Sequence, residues 1–412
     1  MARKKLNIGL FGFGVVGHGL YEVLEKTPAL KANIKNICVK NKDKQREISA
    51  EHFTYDKNDI LNDDEINVVV ELIDDADAAF EIVSAALKKG KAVVSANKKM
   101  VAEHFLELLE LQREYNVPLL YEAAACASMP IIRNLEEYYD NDLLDSIEGI
   151  VNGSTNYILT KTFAENLSYN EALKQAQDLG FAESNPILDT GGFDAKYKLL
   201  ILLAHSFGYI AKPEELFNLG IDNIGEMELK YAKEKGLKIK LVAQAFKGAG
   251  NTVSAFVTPK FVTPEDKLYN VDDVFNGVIT KTYFADTHFF VGKGAGAYPT
   301  ASAVLSDISA LSYDYRYEYK KISREENLIL SNEAELKVLV RHKKEDAESL
   351  KLVFNEVEEA YLNHQSGYIT GNITLNNLIQ LQQQFGTDVS FILINVVNET
   401  ENSAATAQIA TA

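Results

Sequence analysis

Asp194 and Lys198 stand four residues apart in Gly192-Phe193-Asp194-Ala195-Lys196-Tyr197-Lys198, just before an apolar run from Leu199 to His205. On a helix that spacing puts a carboxylate and an ammonium one turn apart on the same face. Two readings fit. One is a surface ion pair worth about 0.3–0.5 kcal/mol. The other is a substrate site, because the preceding stretch Glu183-Ser184-Asn185-Pro186-Ile187-Leu188-Asp189-Thr190-Gly191-Gly192 is an acidic loop broken by a Pro and a Gly pair. Glu183, Asp189, Asp194 and one ammonium would then gather where a loop meets a helix start.

Other residue types along the chain also suit chemistry. Gly12-Phe13-Gly14-Val15-Val16-Gly17 follows a short apolar strand, Leu6 to Phe11, and runs into a helical pattern. That is the strand–turn–helix setting in which GxGxxG cradles a dinucleotide pyrophosphate on a helix N-terminus. A second strand, Ile34 to Lys40, ends in Lys40-Asn41-Lys42, where an NAD site usually places an acid for the ribose hydroxyls. Basic residues there suit a 2′-phosphate and favour NADP(H), with NAD(H) also admitted. Ser95-Ala96-Asn97-Lys98 follows another strand, at the strand end where ligands of open α/β sheets bind. Lys98 there either faces a ligand or simply starts a helix. Glu122 ends the strand Pro118 to Glu122, before the small-residue loop Ala123 to Pro130. One carboxylate with loop carbonyls is hard-oxygen chemistry for a cation; on spacing alone a plain strand end is favoured. Asn152-Gly153-Ser154-Thr155-Asn156-Tyr157 either admits a polar ligand close to its backbone or forms a turn.

The elements that must position these residues read as an α/β protein. Val68 to Ile73 and Ala92 to Ser95 are buried-looking strands. Asp77 to Lys89 between them is a helix with cations in its last turn and Gly90 after it. Strands and helices alternating at this spacing form a Rossmann-type, doubly wound parallel sheet. A helix (Met100 to Glu114) follows, and Ser168 with Glu171 makes a capping box for another that ends at Gly180. From Val242 to Phe290 the pattern is strand-like, including Thr252 to Val257 and Val278 to Phe284, giving an α+β domain.

The bulk properties agree. The 412 residues call for two or three domains. A net charge of −17 opposes nonspecific nucleic-acid binding. Two Cys imply a reducing compartment without a disulfide framework. No apolar run approaches the roughly 18 residues of a membrane span, and Leu6 to Gly14 is too short for a signal core, so the expected location is cytoplasmic. No His/Cys cluster of zinc type is present, and His18 and His205 read as structural or surface residues.

Several of these motifs, in order, make the chain resemble homoserine dehydrogenases. They are Gly12–Gly17, Ala96-Asn97-Lys98, Tyr121-Glu122-Ala123-Ala124 with Pro130, and Asn152 to Leu159. Gly180-Phe181-Ala182-Glu183, Gly192 to Leu199, and Gly292-Lys293-Gly294-Ala295-Gly296 leading into Pro299 to Val304 complete the set. The resemblance covers about residues 6–315. It implies reversible reduction of aspartate 4-semialdehyde to homoserine by NAD(P)H, a branch-point step towards threonine, methionine and isoleucine. It further implies Lys198 as general acid/base with Asp194 as its partner. Glu183 and Asp189 would bind substrate, Gly153 and Ser154 would lie near nicotinamide and substrate, and Lys98 between the two. Glu122 would hold a monovalent cation (Na+ or K+) with carbonyls near Ala125, Ala127 and Met129. The related sheet carries a dimer contact, so at least a homodimer is expected.

The implied division is 1–130 for the dinucleotide and 131–325 for substrate and dimerisation, with a helix near 300–315 returning towards the nucleotide domain. Residues 333–397 form a small α+β module, and 398–412 a disordered tail. Some relatives carry a C-terminal ACT domain that senses threonine. Here Lys343-Lys344-Glu345-Asp346 replaces the usual Asp-x-Pro-Gly turn, and the module's role is left open. There are further departures. Asp74-Asp75 stands for Gly-Gly, Cys126-Ala127-Ser128 for a glycine-rich loop, Phe181 for Tyr, Tyr197 for Arg, and Ser154 for Thr. A related reductase for another amino-acid-derived carbonyl or imine, and a non-catalytic nucleotide-binding regulator, are the competing readings. An acylating dehydrogenase would need a cysteine nucleophile, a setting that neither Cys38 nor Cys126 provides.

Overall fold

The computed structural model describes residues 4–141, 143–324 and 327–397. The expected tail, 398–412, lies outside them. The chain forms two compact units. Of the described residues, the first comprises those from 4 to 140, 200 to 213 and 292 to 323; the second comprises those from 141 to 199, 214 to 291 and 324 to 397.

In chain order the first unit begins β1 (Leu6–Phe11), α1 (Val15–Glu25), β2 (Ala32–Cys38), β3 (Phe53–Thr54), α2 (Asn58–Leu61), β4 (Val68–Glu71), α3 (Ala76–Lys88) and β5 (Ala92–Ser95). It continues with α4 (Lys98–Glu103), α5 (Phe105–Tyr115), β6 (Leu119–Leu120), α6 (Ala123–Cys126) and α7 (Ile131–Glu137). Its six strands are all parallel, in the order β3-β2-β1-β4-β5-β6. This is the doubly wound dinucleotide-binding order, with the switch point beside β1. Ile8, Leu10, Val69, Val70, Val93 and Val94 are fully buried, as strands covered on both faces must be. Asp75 has a role the sequence did not reveal: it is the N-cap of α3 and accepts Ala78 N at 2.9 Å. One of the two acids that replace Gly-Gly is thus a helix cap.

The second unit opens with β7 (Leu144–Ile150), α8 (Gly153–Ala164), α9 (Tyr169–Asp178), α10 (Ile187–Thr190) and the first half of α11 (Phe193–Phe207), whose residues from Leu200 on belong to the first unit. Then come β8 (Phe217–Asn218), α12 (Glu226–Glu234), β9 (Lys238–Lys247), β10 (Thr252–Val262), β11 (Phe275–Thr282) and β12 (Asp286–Lys293). Helix α13 (Ala297–Leu311) belongs to the first unit, where it packs on α1. The C-terminal part is β13 (Ile329–Leu330), β14 (Glu335–Lys343), α14 (Ala347–Lys351), β15 (Glu356–Leu362), β16 (Ser366–Thr374), α15 (Leu375–Phe385) and β17 (Ser390–Val396).

These strands make one eleven-stranded mixed sheet, β12-β11-β7-β9-β10-β17-β14-β16-β15, with β8 and β13 also on β10. The expected C-terminal module is a βαββαβ segment whose strand β17 pairs with β10, so its sheet continues that of the second unit. Leu336, Val338, Val340, Ile369, Phe391 and Leu393 share a core with Phe246 and Phe256 of β9 and β10. The strand expected at Val278 to Phe284 runs instead from Phe275 to Thr282. Residues 283–285 turn, with Thr282 Oγ1 accepting Ala285 N. The segment 152–157, open between turn and ligand loop in sequence, is the start of α8, capped by Asn152.

His205 is fully buried in the first unit. Its Nδ1 lies 2.6 Å from Glu136 Oε1 and its Nε2 2.9 Å from Tyr121 OH, among Tyr317 and Tyr319. It is a core residue holding the end of α11.

Candidate active site

The glycine turn is built to bring a ligand against backbone. Gly12 has φ +92, and a Cβ there would lie 2.5 Å from the Leu72 carbonyl oxygen, so only glycine fits. A Cβ on Gly17 would lie 2.4 Å from Gly12 O, the close packing of helix on turn. A Cβ on Gly14 meets nothing within 4 Å. Gly14 is also the N-cap of α1, with no side chain occupying that end, and Val15 beside it is 71% exposed. An open face at a helix N-terminus suits a pyrophosphate. Val16 completes the turn half-buried, and Phe13 packs edge-on to Phe53 and His18.

Lys40 and Lys42 are exposed just after β2, with Lys42 over the Tyr55 ring. Arg46, not singled out in sequence, pins this loop. Its guanidinium bonds the carbonyls of Asn41 and Lys44, both at 2.8 Å, and lies over Phe53. A run of charges gave no hint that one of them was structural. Lys98 is the first residue of α4, half-buried, with Asn97 as N-cap bonding Met100 N. Ser95 is fully buried. It donates to Glu71 Oε2 at 2.5 Å and accepts Asn97 N at 3.1 Å, so its hydroxyl is committed within the fold. Burial pushes the Glu71 carboxyl up to about 7.

The expected cation residues form a different kind of centre. Glu122 turns its carboxylate onto the start of α7, accepting Ile132 N at 2.8 Å and Arg133 N at 3.0 Å. Asp307 of α13 accepts Glu122 N and the Arg133 guanidinium, the latter at 2.7 Å. Burial, then the charge of Asp307, pushes Glu122 up to about 8; burial pushes Asp307 up to about 6. With Glu122 protonated the guanidinium balances Asp307; once Glu122 ionises one negative charge is left over, a place where a monovalent cation would fit. Ala125 lies in α6, and the Met129 carbonyl accepts Ile131 N. Ala127 has φ 44 and ψ −108, a strained backbone conformation that glycine would adopt more readily. Among the described residues no group of three or more His, Cys, Asp or Glu is set to hold a metal.

The second unit brings together the residues with which the sequence reading opened. Lys198 Nζ lies 2.7 Å from Asp194 Oδ2 and donates to Val151 O at 2.6 Å. Lys198 is 8% exposed and Asp194 6%, so this is no surface ion pair. Asp194 sits in the first turn of α11, where a negative charge faces the helix's positive end. The helix can start there because Gly192, φ +79, lets 218–220 approach; a Cβ would lie 2.8 Å from Leu219 O. Asn152, missed as a site residue, donates from Nδ2 to Asp189 Oδ1 at 2.7 Å and Asp194 Oδ2 at 2.9 Å. No local signal marks it, since its partners lie 37 and 42 residues away. Gly153 is packed against Val274 O, and Ser154 Oγ donates to Phe181 O at 2.5 Å. Glu183 stands outside this hydrogen-bonded network, exposed, its carbonyl held by Gln177. Phe181 packs on Tyr157 at 5.0 Å.

Comparison with known proteins gives the class first. The profile of the homoserine dehydrogenase NAD-binding domain matches residues 12–122, the half that holds the open glycine turn. The chain is therefore an oxidoreductase with a nicotinamide-cofactor domain. The profile of homoserine dehydrogenase itself matches residues 130–309. The homoserine dehydrogenase of Helicobacter pylori is 33% identical over 387 residues, 92% of this chain and 89% of that protein. The crystal structure of a homoserine dehydrogenase from Thiobacillus denitrificans matches with TM-score 0.84 at 27% identity, over 95% of this chain and 99% of that one. A hyperthermophilic archaeal homoserine dehydrogenase in complex with NADPH matches with TM-score 0.66 at 28% identity, over 76% and 99%. The chain belongs to the homoserine dehydrogenase family. Among the described residues no helix is long and apolar enough to cross a membrane.

Proposed function

We propose that the chain catalyses the reversible NAD(P)H-dependent reduction of L-aspartate 4-semialdehyde to L-homoserine. The observation that carries this is the buried Asp194–Lys198 pair in a chain of this family. When bound, the nicotinamide supplies or takes up the hydride. The carbonyl oxygen then needs a proton as it becomes a hydroxyl. Lys198 donates it from Nζ, leaving a neutral amine that regains a proton from water; the reverse direction removes the hydroxyl proton. Asp194 and the Val151 carbonyl aim the ammonium. Asp189 and Glu183 bind the substrate ammonium, and Gly153 and Ser154 line its approach. Lys98 adds positive charge beside the cofactor.

Gly12 to Gly17 hold the pyrophosphate, and Lys40 with Lys42 favours NADP(H). Glu122, with carbonyls of Ala125, Ala127 and Met129, holds Na+ or K+. The nucleotide part is 1–130, the substrate and dimerisation part 131–325, and 333–397 an accessory module. The chain works as a cytoplasmic homodimer in the supply of threonine, methionine and isoleucine.

The test follows nicotinamide absorbance with homoserine and either cofactor. Wild type is expected to turn over, faster with NADP+. Lys198→Ala is expected to lose about 10³-fold in kcat, the scale of a lost general acid/base. Failure of wild type with both cofactors refutes the activity; full turnover by Lys198→Ala refutes the role of that lysine.

A further inference from the structure

Asn152 follows β7 and is 5% exposed. Its Oδ1 accepts Thr155 N at 2.8 Å and Thr155 Oγ1 at 2.9 Å. That half is an ordinary helix cap. The other half goes beyond capping. Both protons of its amide go to carboxylates on two different elements, Asp189 of α10 and Asp194 of α11. Asp194 Oδ2 is also the oxygen that meets Lys198 Nζ. Two carboxylates brought together disfavour each other's ionised forms. A donor group shared between them offsets that. Asparagine meets both demands at once, accepting through Oδ1 and donating twice through Nδ2. An aspartate would cap α8 equally well, but its ionised carboxylate donates nothing.

We propose that Asn152 is a positioning residue for proton transfer at Lys198. It holds the Asp189 and Asp194 carboxylates on one amide and so joins the substrate-binding wall to the proton-transfer pair through one side chain. The inference rests on the roles given above to Lys198 and Asp189. The groups of the second unit set around Lys198 include Asp194 on its own helix, the Val151 carbonyl, and Asp189 reached through Asn152.

The test uses Asn152→Asp, which keeps the cap but replaces both donors with a charge, and Asn152→Ser, which keeps the cap but removes the bridge. Homoserine oxidation is measured across pH for kcat and KM, with thermal unfolding in parallel. Loss of positioning predicts a fall of about 10- to 100-fold in kcat for both variants, larger than any rise in KM. In Asn152→Asp the rising limb of the pH profile moves to higher pH, because added negative charge favours the ammonium. A wild-type kcat and pH profile in Asn152→Asp overturns the proposal and leaves Asn152 as a cap only. If that variant does not fold, Asn152→Ser decides: a wild-type kcat overturns the proposal, and the fall in kcat with wild-type melting supports it. A second readout needs no turnover. Acetylation of Lys198 by acetic anhydride, followed by mass spectrometry at fixed pH, is expected to be slower in Asn152→Asp than in wild type. Equal labelling overturns the proposal. Failure of wild type to oxidise homoserine, by contrast, sinks only the functional reading.

Discussion

Each unit joins two carboxylates and one cationic side chain in a buried cluster, and the two clusters are built differently. In the first unit Glu122 and Asp307 face Arg133, and every carboxylate oxygen accepts a backbone N–H or the guanidinium. A guanidinium does not give up its proton in a protein. That cluster ties α6, α7 and α13 together and can exchange nothing at the cation. In the second unit Asp194 meets Lys198 directly and Asp189 is tied to Asp194 through Asn152, and an ammonium, unlike a guanidinium, can lose and regain a proton. Similar charge counts give a clasp in one place and, in the other, the pair proposed to transfer a proton. The difference lies in the cation, and in whether the donors are fixed backbone or a single amide.

The sharpest way to break that contrast is to remove each cation. Arg133→Met leaves two buried carboxylates without their counter-charge, which is expected to cost about 3–5 kcal/mol in urea unfolding. Lys198→Ala leaves Asp194 bonded to Asn152 and is expected to lose far less stability than rate. Equal stability losses in the two variants would mean that Lys198 is also a clasp.

A smaller effect separates the clusters by pH. Glu122 is raised from an ordinary 4.5 to about 8, so the folded chain holds a proton there that the unfolded chain releases. The stability this contributes is fully present below about pH 4.5 and is lost as pH rises through about 8. Thermal melts from pH 5 to 8 in choline chloride should therefore fall more steeply for wild type than for Glu122→Gln. A cation bound at Glu122 would compensate the charge, so KCl or NaCl should flatten the wild-type fall. Identical slopes in choline and potassium would exclude a cation at that place.

These contrasts also mark what the sequence could carry. The glycine turn, Asp194–Lys198 and the α3 stop at Gly90 were legible because each is settled within a few neighbouring residues. Asn152 was quoted only as the first residue of a motif, since its partners are brought to it by the fold. Glu122 read as a strand end or cation ligand. Its bonds to α7 depend on a chain reversal that no spacing reveals. Strand β15, Glu356–Leu362, passed unnoticed because all seven of its residues are exposed, so no burial pattern constrained them. The pairing of β17 with β10 joins residues more than a hundred positions apart, and such pairings leave no local trace. Asp75 read as a departure at the cofactor, though an acid before an apolar helix is a cap signal.

The smallest effect tests spacing itself. Lys174 and Asp178 on α9 are also four residues apart and ion-paired, yet their side chains are 69% and 62% exposed. Their order is reversed relative to Asp194 and Lys198, with the acid in the last turn, where the helix end is negative. The reversed order is also the weaker one for such a pair. Lys174→Ala is therefore expected to change stability by about 0.3 kcal/mol or less, and to leave kcat unchanged. A loss comparable to that of Arg133→Met would mean that exposure is not what divides these pairs. Spacing made the two pairs look alike. Burial beside Val151 and Asn152 sets one of them apart, and it is the one proposed to act on a substrate oxygen.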